Sequence, residues 1–226
     1  MKDNTTSHIA DEYDSKINQT IPYYAMFHKE TINTVKVHNS NPAAWLDAGC
    51  GTGTMVLHAI PIFPKTTFTL ADPSPQMLAI AREKLSQLDQ AEINYLETGT
   101  QVLDLPSESF DVITTIQSNH YFDKATRAKA VQNCYRMLKP GGIYITFENI
   151  RPITDAGISL GLKRWQEFQM LGGKTSEEAR AHVGRFDKEY FPITIEQHLE
   201  LLRGSGFAVV EIIWAAYMQA GFYAIK

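Results

Sequence analysis

An acid followed by alternating glycines, Asp47-Ala48-Gly49-Cys50-Gly51-Thr52-Gly53, is the arrangement in this chain best suited to gripping a ligand. Apolar Trp45 and Leu46 come just before it, so it reads as a strand that ends in a carboxylate and opens at once into a helix. Glycine lacks a Cβ and accepts positive φ, which lets the backbone fold tightly round a bound group. The helix start adds unpaired N–H groups and the positive end of a dipole. Spacing then narrows the ligand. A dinucleotide loop needs a third glycine where this chain has Thr54. A carboxylate two residues before Gly49 would repel a diphosphate, but it would attract a cation. A plain structural turn is the competing reading, and a second acid argues against it.

That acid is Asp72, at the end of the β-rich run Thr67-Phe68-Thr69-Leu70-Ala71 and nineteen residues after Gly53 (72 − 53). An acid at the tip of a second strand, about 20 residues on, is where a Rossmann-type site holds ribose hydroxyls. Ser74 and Pro75 then cap and start the next helix. A nucleoside with a cationic tail satisfies both acids. S-adenosylmethionine (SAM), with its sulfonium and α-ammonium groups, is such a molecule, and Asp47 would face its amino end.

These pieces, taken with Leu103-Asp104-Leu105-Pro106, Ser109-Phe110-Asp111-Val112-Ile113 and Arg136-Met137-Leu138-Lys139-Pro140-Gly141-Gly142, resemble the class I SAM-dependent methyltransferases over residues 43–150. The resemblance implies SAM as cofactor and S-adenosylhomocysteine as product. It implies cofactor contacts at Asp47, Gly49, Cys50, Gly51, Gly53, Asp72, Pro73, Met77 and Gln117. The family's adenine contacts fall on Gln101 and Val102, where an amide replaces the usual acid. A narrower resemblance reaches both ends. Tyr13-Asp14-Ser15-Lys16-Ile17 and Ile21-Pro22-Tyr23-Tyr24 are similar to the N-terminal lid of the carboxy-SAM synthase subgroup, as is the chain from Trp165 to Gly206-Phe207. In that subgroup the tyrosine corresponding to Tyr24 reaches the cofactor's methionine part. The synthases carry an arginine for the extra carboxylate where this chain has Leu201, with Arg203 two places off. Ordinary SAM is therefore the expected cofactor.

Ligands in open α/β sheets lie beyond the carboxyl ends of the strands. The acceptor should meet Gln117, Asn119, His120 and Tyr121 after the fourth strand, and Glu148 and Arg151 after the fifth. Tyr13 of the lid and Trp165 of a helical insertion would close over it. Methyl transfer needs alignment more than proton transfer, so a general base is optional. If one is used, His120 is the candidate, as the histidine at a strand tip; its competing role is to hold the loop. Glu148 would anchor a cationic acceptor, or else be a solvated edge acid. Trp165 would line an aromatic pocket, or else belong to the core. Arg185 and Lys188 read as a solvated helix face. The strand-four tip Ile116-Gln117-Ser118-Asn119-His120 is not the Asn/Asp-Pro-Pro-aromatic turn of the family's base-amino and glutamine methyltransferases. The expected function is transfer of methyl from SAM to a small molecule. Alternatives are a carboxy-SAM synthase-like enzyme and a non-catalytic SAM-binding protein, with an NAD-linked oxidoreductase further off.

The elements that must position these residues alternate between strand and helix, which predicts a Rossmann-like doubly wound sheet of seven strands with the last antiparallel. The expected organisation is one domain over residues 1–226: lid helices in 1–40, a SAM-binding core in 41–150, a helical insertion or substrate cap in 151–192, and a closing helix and hairpin in 193–226. Residues 1–12 read as polar and frayed, with a helix from Pro22 to about Val37. The insertion reads as helices Ile158 to Leu171 and Ser176 to Tyr190. Lys139-Pro140-Gly141-Gly142 is a helix stop before a strand Ile143 to Phe147, and Thr194 with Gln197 forms a capping box. The 226 residues carry a net charge of −4 with no basic cluster, so nucleic acid is not an expected partner. No leader or membrane span is read, and Cys50 and Cys134 suggest neither a metal site nor a disulfide. The cytoplasm is the expected location, and a homodimer is left open.

Overall fold

The computed structural model describes residues 6, 8–88 and 91–226. Two helices come first, α1 (Ala10–Thr20) and α2 (Tyr24–His38). An alternating core follows: β1 (Ala44–Ala48), α3 (Thr54–Ala59), β2 (Thr67–Asp72), α4 (Pro75–Leu85), β3 (Ile93–Glu97), β4 (Phe110–Ile116), α5 (Lys124–Met137) and β5 (Leu138–Asn149). Two insertion helices, α6 (Asp155–Leu171) and α7 (Ser176–Val183), precede α8 (Ile195–Gly204), β6 (Val209–Ala216) and β7 (Gln219–Ile225).

Strand order is β3-β2-β1-β4-β5-β7-β6. The strands run parallel except β7, which is antiparallel to both β5 and β6. Order reverses between β1 and β4, so a ligand crevice should open at their carboxyl ends. Alternate strand residues feed two cores, and this is what makes the sheet doubly wound. Trp45, Phe68 and Val112 pack with α2 and α3 on one face, while Leu46, Ile113 and Tyr144 pack with α5 and α8 on the other.

Local signals explain most helix starts. Ser74 caps α4 by accepting from the Met77 N–H at 3.1 Å, with Pro75 in the first turn. Thr194 and Gln197 form the expected capping box of α8, and Thr175 with Glu178 forms an unforeseen one on α7.

Several boundaries differ from expectation, among them the start of α6 at Asp155 instead of Ile158, where the Thr154 side chain caps the helix. Ala10–Asp11–Glu12 is the first turn of α1, while residues 1–5 and 7 of the expected frayed segment lie outside the described residues. The next helix starts at Tyr24 rather than Pro22, because Tyr23 takes a left-handed conformation (φ 56°). Helix α7 stops at Val183, seven residues before Tyr190, since Gly184 disfavours helix and Asp187 turns left-handed (φ 58°). The Pro140-Gly141-Gly142 stretch belongs to β5 itself, with a register shift opposite Phe110 and Val112 that absorbs it. Among the described residues no helix is long and apolar enough to cross a membrane.

Candidate functional site

A cavity of about 300 Å³ opens where β1, β2 and β4 end, with Gly49, Asp72, Met77, Gln101, Gln117 and Tyr121 in its wall. A smaller one of about 20 Å³ adjoins it through Tyr13, Gly49 and Gly51 and reaches Tyr24 and Asp47. The two acids lie at the ends of neighbouring parallel strands, on one side of the molecule.

The glycine loop is built for close approach. Its Gly49 N–H donates to the Ala71 carbonyl at 2.7 Å, and the Gly51 N–H donates to Asp72 Oδ2 at 2.9 Å. Gly49 has φ 74°, and a Cβ there would stand 2.5 Å from the Ser118 Cβ. Gly51, also left-handed, would meet nothing within 4 Å, which leaves open space beside the backbone. Gly49→Ala should therefore combine backbone strain with a clash. We expect about 2–3 kcal/mol lost in chemical denaturation, with weaker S-adenosylhomocysteine binding in calorimetry. A variant of wild-type stability would contradict this geometry.

Asp47 is 1% exposed. Its Oδ1 accepts from the Thr114 hydroxyl at 2.7 Å, and its Oδ2 has no hydrogen-bond partner among the described residues. Burial pushes this carboxyl up to about 7, helped by the charge of Asp72 and opposed by the Thr114 hydrogen bond. Asp72 is already engaged: Oδ2 with Gly51, Oδ1 with the Ser74 N–H at 2.9 Å. At the far end Gln101 Oε1 is buried with no partner among the described residues, while Asn133 Nδ2 donates to the Thr100 and Gln101 carbonyls at 3.1 Å. Tyr13 and Tyr24 are hydrogen-bonded to each other, and burial pushes both phenols well up. They are neutral at ordinary pH. Gln117 adopts φ 57° without being glycine, a strained turn of the kind that collects at functional sites.

Other expected contacts lie elsewhere. Gly53 serves packing: a Cβ there would press on Ala81, Leu85 and Leu70 at 3.1–3.3 Å, and the residue lines neither cavity. Val102 is 57% exposed and also outside them. His120 turns inward, its Nδ1 2.7 Å from Glu148 Oε2. Glu148 is buried and fully used, accepting from the Asn119 and His120 N–H groups and from the Thr146 hydroxyl. Burial raises its carboxyl, but the hydrogen bond and charge of His120 outweigh this and leave it below the usual range. It is neither a solvated edge acid nor in the wall of the main cavity. Arg151 pairs with Asp187 (2.6 and 2.7 Å) near the surface. Trp165 is core, donating its indole N–H to the Thr20 carbonyl at 2.7 Å.

Sequence reasoning missed a third cavity. About 20 Å³ in size, it adjoins the main one through Tyr13, Gln117 and Tyr121 and is closed by Asn149, His182, Arg185 and Tyr190. Arg185 is not on a solvated face; its side chain is only 12% exposed. A histidine and an arginine three apart beside aromatic residues was the signal to follow. Only tertiary packing shows where they point.

A methyltransferase-domain family model matches residues 46–142. A demethylmenaquinone methyltransferase of Thermus thermophilus is 30% identical over 182 residues, 80% of this chain and 74% of that protein. The chain belongs to the class I SAM-dependent methyltransferases. A carboxy-S-adenosyl-L-methionine synthase of Trichodesmium erythraeum is 24% identical over 217 residues, 95% of this methyltransferase and 85% of that enzyme. In fold, a solved SAM-dependent methyltransferase of Thermotoga maritima matches with TM-score 0.61 at 19% identity, covering 96% of this chain and 95% of that one. SAM is the cofactor of this methyltransferase. The residues present fit that molecule. Two buried acceptors without partners among the described residues, Asp47 Oδ2 and Gln101 Oε1, suit its ammonium and adenine-amino ends.

Proposed function

We propose that this methyltransferase transfers a methyl group from SAM to a small-molecule acceptor. The observation that carries the reading is the pair of adjoining cavities, with an unpartnered buried carboxylate oxygen at one end and an unpartnered buried amide oxygen at the other. In this reading Asp47 and Tyr24 hold the amino-acid end of SAM, Gly49, Cys50 and Gly51 the middle, and Asp72 the ribose. Pro73, Met77 and Gln101 hold the adenine. Tyr13, Gln117 and Tyr121 stand between this cleft and the acceptor.

When bound, SAM supplies an activated methyl group on a sulfonium sulfur. The chain's residues then align and exclude water, which can be worth roughly 7–11 kcal/mol of barrier. On the acceptor side, among the described residues, His120 is committed to Glu148 and the buried tyrosines hold their protons, so neither is placed as a base. His120 is thus read as a loop-holding residue.

A second reading, a carboxy-SAM synthase, is favoured by the end-to-end match with that enzyme. Against it, Leu201 lines a separate void with Arg127 and Glu148, and Arg203 is exposed. Two incubations discriminate. With SAM and prephenate, mass spectrometry should find no carboxylated cofactor, whereas labelled SAM with a metabolite extract should yield a labelled small product. A heavier cofactor would establish the synthase reading instead. Absence of binding heat with either SAM or S-adenosylhomocysteine would remove both.

A further inference from the structure

The third cavity is lined by two hydrogen-bonding side chains, His182 and Tyr190, that have no partner among the described residues. His182 is 9% exposed, and neither ring nitrogen has a partner among the described residues. The Tyr190 hydroxyl, 1% exposed, is likewise unpartnered. Buried polar groups are almost always hydrogen-bonded, so two such orphans facing one space point to a missing ligand.

Beside the Thr6 and Thr20 hydroxyls, donors predominate in the wall. Arg185 can only donate, and it stands beside Tyr121, to which it is hydrogen-bonded, and near the ring of Tyr190 at 5.9 Å. Asn149 has its amide oxygen taken by the Gln219 amide at 3.2 Å, which leaves its NH₂ to offer. Tyr190 and neutral His182 each supply one more donor. Burial, first, lowers the His182 pKa and keeps its ring neutral, and the charges of Lys174, Arg185, His8 and His120 act in the same direction. The acids nearby are accounted for: Glu189 pairs with Arg185 at 2.6 Å while more than half exposed, Asp187 pairs with Arg151, and Glu148 is saturated by the strand-four loop. An arginine among converging donors favours a ligand group that accepts hydrogen bonds. A volume of about 20 Å³ holds little more than one water-sized group, so only the head of a ligand can enter it.

We propose that this inner cavity seats a carboxylate of the methyl acceptor, held by Arg185, His182 and Tyr190, so that the acceptor is a small organic acid. Its remaining atoms extend past Tyr13, Gln117 and Tyr121 into the main cavity. This rests on the reading of that cavity as the SAM cleft.

The test uses full-length protein labelled in its histidine rings and saturated with S-adenosylhomocysteine. Acetate and benzoate are titrated at constant ionic strength, with acetamide and benzamide in parallel, while NMR follows the His182 ring, assigned with His182→Asn. At least one acid should shift that signal saturably and both amides should not. Arg185→Met should weaken the response at least tenfold while retaining S-adenosylhomocysteine binding, and Arg185→Lys should restore part of it. Should Arg185→Met not fold, the acid-against-amide contrast decides alone. The proposal is overturned if neither acid moves the signal, if the amides move it equally, or if Arg185→Met responds like wild type. Calorimetric silence toward S-adenosylhomocysteine would sink the cleft reading and this proposal together. Nucleoside binding without a carboxylate response sinks this proposal only.

Discussion

Asp47→Asn should raise the melting temperature of the ligand-free protein at pH 8 by a few degrees while weakening S-adenosylhomocysteine binding about a hundredfold. Both effects follow from one unpaired, buried oxygen. The folded protein holds the Asp47 proton up to about pH 7, against an ordinary value of 3.8. A raised folded pKa means that stability is fully present below the unfolded value and is lost as pH climbs through 7. Charging the buried carboxylate therefore costs up to about 4 kcal/mol at pH 8, an upper limit that asparagine avoids. The cationic amino group of the nucleoside would supply the missing partner, so wild-type binding should tighten as pH rises from 6 to 8. The variant should lose that pH dependence. Calorimetry and thermal melts at pH 6 and 8 test both arms. Wild-type affinity in the variant would mean that Asp47 does not face the amino end.

A larger loss of stability is expected from Glu148→Ala. Glu148 accepts four hydrogen bonds, from two backbone N–H groups of the 119–120 turn, the Thr146 hydroxyl and the His120 ring. Alanine strands all four donors in the interior, at about 3–5 kcal/mol, or a melting temperature lower by roughly 10 °C. The pH dependence has the opposite sense to that of Asp47. The Glu148 carboxyl lies below its ordinary value of 4.5. Its contribution is thus present above the unfolded value and disappears as pH falls from 4.5 through the lower folded one. Acid melts of wild type and Glu148→Ala should converge over that window. Curves that stay parallel down to low pH would show that Glu148 is not the group being titrated.

These two acids also show how far the residue string could be read. Asp47 and Asp72 were legible because their spacing around the glycines is local, and a parallel strand pair brings them together with little freedom. Ser74, Pro75, Thr194 and Gln197 were legible for the same reason, since caps act within a turn. Glu148 was harder. Its place at a strand end suggested solvent or substrate, and only the fold back of the 119–120 turn showed it to be an internal tie. The insertion was hardest. Trp165, His182 and Arg185 take their roles from contacts with Thr20, Tyr190 and Tyr121, partners up to 145 positions away in the chain. No periodicity encodes such pairing. Gly184 was the one local hint, and a helix was extended through it.

The Trp165 indole N–H bonded to the Thr20 carbonyl has a kinetic corollary. It ties α1, which carries Tyr13 of the cleft wall, to α6. Swinging α1 aside by itself would leave that N–H dry and unbonded, a penalty of about 1–3 kcal/mol before any other contact is lost. The cheaper path moves α1 and α6 as one flap. Displacing Tyr13 from the cleft wall is then coupled to displacing α6.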